Sequence, residues 1–231
     1  MKIFPGQQSR EEYLAAQIER SENKFRYCKV SVHDVRKYRD LLRPEGSTRR
    51  DSGPGPIACL GTRNGREVDL FRLHWFGGWA LRAASTRLER AKRSFTSSFP
   101  LIESIGRSDV TCLTSTSVIG VELNPRASRR DVWVGSFDEM PSDWSAKFAI
   151  VFSNAFDQSQ DPQRTVGEWR RIVRPGGFLI LCFTNDAEPT STDRVGGLSL
   201  SDVKELFGGR LVYFHDRGSR NGYSEVVLQL A

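Results

Sequence analysis

Apolar and polar positions along the chain change their rhythm near residue 56. Before it, residues 9–27 (SREEYLAAQIERSENKFRY) place Tyr13, Leu14, Ile18 and Phe25 at a roughly helical period. Ser9 and Glu12 have the spacing of a capping box, in which each side chain satisfies a backbone N–H of the other residue. A second helix is expected from Val32 to Leu42, with Val32, Val35, Tyr38, Leu41 and Leu42 as its apolar stripe. The run RPEGSTRRDSGPGP, residues 43–56, then breaks the pattern with Pro, Gly and Ser. Beyond it, short apolar runs alternate with helical stretches. Ile57–Leu60, Val118–Leu123, Asp131–Val134, Phe148–Ser153 and Phe178–Phe183 read as strands, and residues 162–173 and 200–207 as helices, the first opened by Asp161 and Pro162. Strands so uniformly apolar are covered on both faces, which makes a central parallel sheet the economical reading. Arg210–His215 and Ser224–Leu230, separated by DRGSRNGY, form a closing hairpin and bring an antiparallel element to that sheet.

Composition narrows the class without naming a chemistry. At 231 residues, 38% hydrophobic and 27% charged, the chain suits one α/β domain with an appendage. The expected division is a helical extension at 1–46, a linker at 47–56 and the α/β domain at 57–231. Within the last, 71–117 is an insert, because the stretch between the glycine turn at 61–65 and the strand at 118 exceeds what one helix needs. The insert carries Trp75, Trp79 and a run of arginines, and reads equally as a lid or polyanion contact and as an amphipathic helix covering the sheet edge. No apolar run of about 18 residues occurs, and MKIFPGQQSREE lacks the apolar centre of a secretory signal, so a cytoplasmic protein without a membrane span is expected. Cys28, Cys59, Cys112 and Cys182 are scattered and mostly within apolar runs, as reduced core thiols are. His33, His74 and His215 are equally scattered, so no metal site is expected. The net charge of +6 is unevenly spread, with the basic excess in residues 1–118 and a slight acidic excess after them, which suits either a polyanionic partner such as RNA or an ordinary solvated surface.

The candidate chemistry lies where strands end. Ile57-Ala58-Cys59-Leu60 runs into Gly61-Thr62-Arg63-Asn64-Gly65, and a glycine turn between a buried strand and a helix lets backbone N–H groups approach a nucleotide-type ligand closely. Val118-Ile119-Gly120-Val121-Glu122 ends in a carboxylate able to accept the hydroxyl hydrogens of a ribose. Val132-Trp133-Val134-Gly135-Ser136-Phe137 ends in small and aromatic groups suited to an adenine ring. Phe148–Ser153 delivers Asn154 and Asp157 to the same carboxyl edge, where ligands of open α/β sheets sit.

Over residues 56–231 the sequence resembles the class I S-adenosylmethionine-dependent methyltransferases, with a type 11-like domain. Residues 59–65 match the family's D-x-G-x-G-x-G turn, Glu122 its acidic residue after the second strand, and Ser136-Phe137 its adenine-contacting pair. The most specific match is FAIVFSNAFDQSQDPQRTVGEWRRIVRPGGFLIL, residues 148–181, with Glu168, Arg171 and Arg174-Pro175-Gly176-Gly177 keeping type and spacing. The resemblance implies a Rossmann-like, doubly wound, seven-stranded α/β sheet with a reversed last strand, and S-adenosylmethionine as cofactor. It assigns cofactor binding to Gly61, Thr62, Arg63, Gly65, Glu122, Leu123, Ser136, Phe137 and Asn154, with Asn154 beside the methyl group; Asp157, three residues past Asn154, is the best placed base for a hydroxyl acceptor, with a helix or loop cap as its alternative reading. Arg63 stands where the family has its middle glycine, Cys59 and Ala149 where it has acidic residues, and Ser136 where Asp is common. Arg63 either pairs with the cofactor carboxylate or obstructs the turn.

The leading expectation is therefore methyl transfer to a hydroxyl of a small molecule or sugar. An RNA acceptor is the alternative, with the basic half on phosphates and Trp75 and Trp79 stacking bases. The four departures suggest a further one, an inactive protein of this fold that binds a partner. A nicotinamide dehydrogenase fits less well, because the turn reads G-x-x-x-G.

Overall fold

The computed structural model describes residues 1–6, 8–43, 55–76, 117–216 and 223–231. Most of the expected linker, insert residues 77–116 with Trp79 and Cys112, and the hairpin tip fall outside them. A two-residue strand, Lys2–Ile3 (β1), precedes the helix Arg10–Asn23 (α1), which Ser9 and Glu12 cap reciprocally as their spacing implies. Ser31 and Asp34 do the same for Val32–Leu41 (α2). Ile57–Leu60 (β2) then leads through the glycine turn into Arg66–Phe71 (α3), continued by a π-helical turn, Arg72–Phe76.

Val118–Glu122 (β3), Val132–Val134 (β4) and Phe148–Ser153 (β5) come next. Pro162–Ile172 (α4), whose first turn donates to the Asp161 side chain, runs straight into Val173–Phe183 (β6). The chain closes with Val195–Gly196 (β7), Leu200–Phe207 (α5), Arg210–Asp216 (β8) and Ser224–Gln229 (β9). Seven strands form one sheet in the order β4-β3-β2-β5-β6-β9-β8, parallel from β4 to β6, with β9 antiparallel to both its neighbours. The sheet is thus doubly wound with a reversed last strand. Among the described residues β1 pairs only with β7, in a separate two-stranded ribbon that no sequence pattern announced.

The continuous apolar runs sort by parity onto two cores. Ala58, Leu60 and Val151 face Trp144, Trp169 and Phe207 on the side of α4 and α5. Ile57, Cys59, Ile150 and Phe152 face Val35, Tyr38, Phe71 and Trp75 on the side of α2 and α3. Trp75 is 2% exposed and lies against Phe71 with ring centroids 5.8 Å apart, so it offers no face to a nucleic-acid base. Cys28 and Cys59 are free thiols, and Cys182 Sγ lies 3.7 Å from Tyr38 Oη.

The R-P-G-G stretch is a bulge within a strand. Phe148 faces Val173 but Ile150 faces Phe178, so residues 174–177 loop out, and Gly176 and Gly177 bond with Leu230 at the end of the chain. Among the described residues no helix is long and apolar enough to cross a membrane.

Candidate functional site

All five parallel strands end at one edge, and the sheet order reverses its direction of growth between β2 and β5, which opens a crevice there. The turn after β2 enters that crevice. Gly61, Arg63 and Gly65 have φ of 72°, 52° and 74°, so all three glycine positions of the motif keep the left-handed conformation, including the one filled by arginine. Gly61 permits a close approach as well, since a Cβ there would meet Ala155 Cβ at 2.5 Å. Gly61 N and Thr62 N both donate to Val121 O, tying the turn to the end of β3. Thr62 points inward, donating at 2.9 Å to Glu67 Oε2. Burial pushes the Glu67 carboxyl up to about 7, opposed by hydrogen bonding that includes the Thr62 hydroxyl.

Glu122, at the end of β3, is 6% exposed and surrounded by donors. Its Oε2 accepts from Arg63 N at 2.7 Å, and its Oε1 from Asn124 N at 3.2 Å and from Ser21 Oγ at 2.9 Å. Ser21 belongs to α1, which lies over the edge of the sheet. Glu122, Gly61, Arg63, Leu123 and Phe137 form one side of a narrow cleft, Gln17, Arg20 and Ser21 the other, and Gln158 joins them. With α1 in place the open space is only about 20 Å³, room for about one water.

Helix α1 is pinned by polar contacts. Arg20 forms a two-pronged ion pair with Asp193, Gln17 Nε2 donates to Tyr13 Oη at 2.8 Å, and Tyr13 Oη donates to Gln158 O. Glu22 accepts from Asn124 Nδ2 at 3.1 Å and Arg126 Nη1 at 2.7 Å. The Arg63 guanidinium lies 4.9 Å from the centroid of the Tyr27 ring, just beyond the end of α1.

Phe156, wedged between Trp169 and Phe207 at centroid distances of 5.6 and 5.3 Å, fixes the turn that carries Asp157. Asp157 Oδ1 is enclosed and has no hydrogen-bond partner among the described residues. Burial, reinforced by the nearby Asp193 charge, pushes this carboxyl up to about 7 against the opposing pull of Arg20 and Arg63. Asn154 is half-buried. Ser136 Oγ accepts from Asp138 N at 3.2 Å and so braces its own turn. The Phe137 ring meets Trp169 edge-on at 5.5 Å, and the Phe137 carbonyl accepts from Trp169 Nε1 at 3.2 Å. Among the described residues no cluster of His, Cys, Asp and Glu is able to hold a metal.

No protein-family model and no curated protein matches the sequence. Solved structures do. The Burkholderia thailandensis 1,6-didemethyltoxoflavin-N1-methyltransferase, determined with 1,6-didemethyltoxoflavin and S-adenosylhomocysteine, superimposes with a TM-score of 0.57 at 13% identity, over 100% of this chain and 94% of that one. Geranyl diphosphate methyltransferase with S-adenosylmethionine gives 0.52 at 14% identity, over 99% and 93%. The fold is that of the class I S-adenosylmethionine-dependent methyltransferases. The [4+2]-cyclase SpnF also shares this methyltransferase fold, with a TM-score of 0.55 at 11% identity, over 100% and 99%. The fold therefore does not decide the reaction.

Of the residues assigned from the sequence, this methyltransferase fold gathers Gly61, Arg63, Glu122, Leu123 and Phe137 around the cleft. Thr62, Gly65 and Ser136 are braced elsewhere in the turns, and Asn154 and Asp157 belong to the neighbouring loop after β5. The sequence reading missed Gln17, Arg20, Ser21, Gln158 and Asp193. A signal existed for two of them. The buried face of α1 is Tyr13, Gln17 and Ser21, a polar row at i, i+4 and i+8, rather than the expected stripe of Tyr13, Leu14, Ile18 and Phe25. A helix that buries hydrogen-bonding side chains covers a polar cavity, not a core.

Proposed function

We propose that this protein is an S-adenosylmethionine-dependent methyltransferase whose acceptor is a small molecule or sugar with an ionisable hydroxyl. The observation that carries the reading is the cleft at the carboxyl edge, lined by the turn, carboxylate and aromatic that the sequence motifs single out. Its donor and acceptor set fits the cofactor. Glu122 would accept the ribose hydroxyls, Leu123 and Phe137 would flank the adenine, and Arg63 would pair with the carboxylate. The left-handed backbone kept at Arg63 supports a working turn over an obstructed one.

When bound, the cofactor supplies a methyl group activated by its sulfonium charge. The chain's own task is to hold the acceptor oxygen in line and to take its proton. Asp157 Oδ1 suits that step. It is sequestered, unpartnered among the described residues and close to half-ionised at neutral pH, which is where a general base is most effective. The roof made by α1 and the burial of Trp75 favour a small acceptor over RNA.

The test is transfer of labelled methyl groups to a panel of phenols, catechols and sugars, with structured RNA alongside. Labelling of a small hydroxylated acceptor is the expected result. Labelling of RNA alone, weakening steeply with salt, would overturn the choice of acceptor.

A further inference from the structure

A carboxylate offers about four lone-pair positions, two on each oxygen. On Glu122, Oε1 already accepts from Ser21 Oγ and Asn124 N, and Oε2 from Arg63 N, which leaves one position, on Oε2. A ribose diol donates two hydroxyl hydrogens side by side and needs a position on each oxygen. One donor to Oε1 must therefore leave.

The Asn124 N–H is not free to do so. Asn124 is 1% exposed, and its side chain accepts from Arg126 N at 2.9 Å, fixing the backbone that follows β3. Ser21 is different: it is a side chain delivered by α1, an element that reaches the sheet edge from outside and rests there on polar contacts. Its hydroxyl gives Glu122 the same chemistry that a ribose hydroxyl would give.

We propose that Ser21 is an exchangeable stand-in for a ribose hydroxyl. Helix α1 is thereby a gate that closes on Glu122 in the free protein and is released when the cofactor's diol takes the place of Ser21. The proposal rests on the reading of Glu122 as the ribose-binding carboxylate. Arg20 and Gln17 share the helix, and Arg20 is paired with Asp193, whose charge acts on Asp157. Release of Ser21 therefore also disturbs the acceptor side, so cofactor should bind before acceptor.

The experiment compares the full-length wild type with Ser21→Ala. S-adenosylhomocysteine is titrated by calorimetry, and hydrogen exchange is followed over residues 10–23. Removing the competing hydroxyl should tighten binding about fivefold, the equivalent of one net hydrogen bond of about 1 kcal/mol. Exchange in α1 should be faster in free Ser21→Ala than in the free wild type, and ligand should accelerate it in the wild type. Equal or weaker binding by Ser21→Ala, with α1 exchange unchanged, overturns the gate while leaving the cofactor assignment standing. Failure of both proteins to bind overturns the cofactor assignment and the gate with it.

Discussion

On the proposed reading, activity turns on Arg63 and Asp157. A non-glycine residue at φ 52° costs on the order of 1 kcal/mol, and the chain keeps one in the middle of the turn after β2. Arg63→Gly relieves that strain but loosens the unfolded chain, so stability should stay within about 1 kcal/mol of wild type. Affinity for S-adenosylhomocysteine should fall roughly tenfold as the guanidinium is lost, and tighter binding would mean that the arginine obstructs. Asp157→Asn should slow transfer to a hydroxyl by about 10²- to 10⁴-fold and remove the rise in rate near pH 7.

The same substitution has a stability signature of fixed sign. The folded carboxyl, raised from 3.8 to about 7, binds its proton more tightly than the unfolded one. The folded state therefore loses stability as pH rises between these values. Asp157→Asn should melt above wild type at pH 8 and level with it near pH 4. At this scale the sequence pointed to Gly61, Arg63, Glu122, Leu123 and Phe137, which line the cleft, because strand ends and glycine turns are local patterns. It did not disclose Asp193 or Gln158, which reach the site only through tertiary contacts with α1.

At the scale of elements, capping chemistry made the helices legible. Ser9 with Glu12, and Asp161 before Pro162, fixed the starts of α1 and α4 from local side-chain bonds alone. What α1 buries was misread, since an apolar period cannot reveal a helix seated on a polar cleft. The Glu168–Arg171 pair on α4 illustrates a motif with a structural task. Arg171 Nε and Nη2 grip Glu168 at 2.8 and 2.7 Å, while its amino groups donate to the carbonyls of Met140, Pro141 and Ser142 and to Ser145 Oγ. It thus clamps the β4–β5 connection onto α4, away from the cleft. Arg171→Met should lower stability by about 2 kcal/mol in urea unfolding while leaving cofactor affinity within twofold of wild type.

At the scale of the whole molecule, the alternation of buried strands and helices was enough to predict a central parallel sheet, because a strand covered on both faces leaves few other architectures, and the resemblance to the methyltransferases added the doubly wound order. The hairpin signal gave the reversed last strand for the same local reason. The β1–β7 ribbon was invisible, since two-residue strands carry no periodicity and this one joins segments far apart in the sequence, residues 2–3 and 195–196. The fold alone admits a cyclase as well as methyltransferases, so function has to come from the cleft.

Its most direct test is calorimetric titration of the full chain, and of Glu122→Ala, with S-adenosylmethionine and S-adenosylhomocysteine. Micromolar one-to-one binding by the wild type, lost in Glu122→Ala, is the predicted result. No binding by the wild type, or binding unchanged by the substitution, would contradict the cofactor site described.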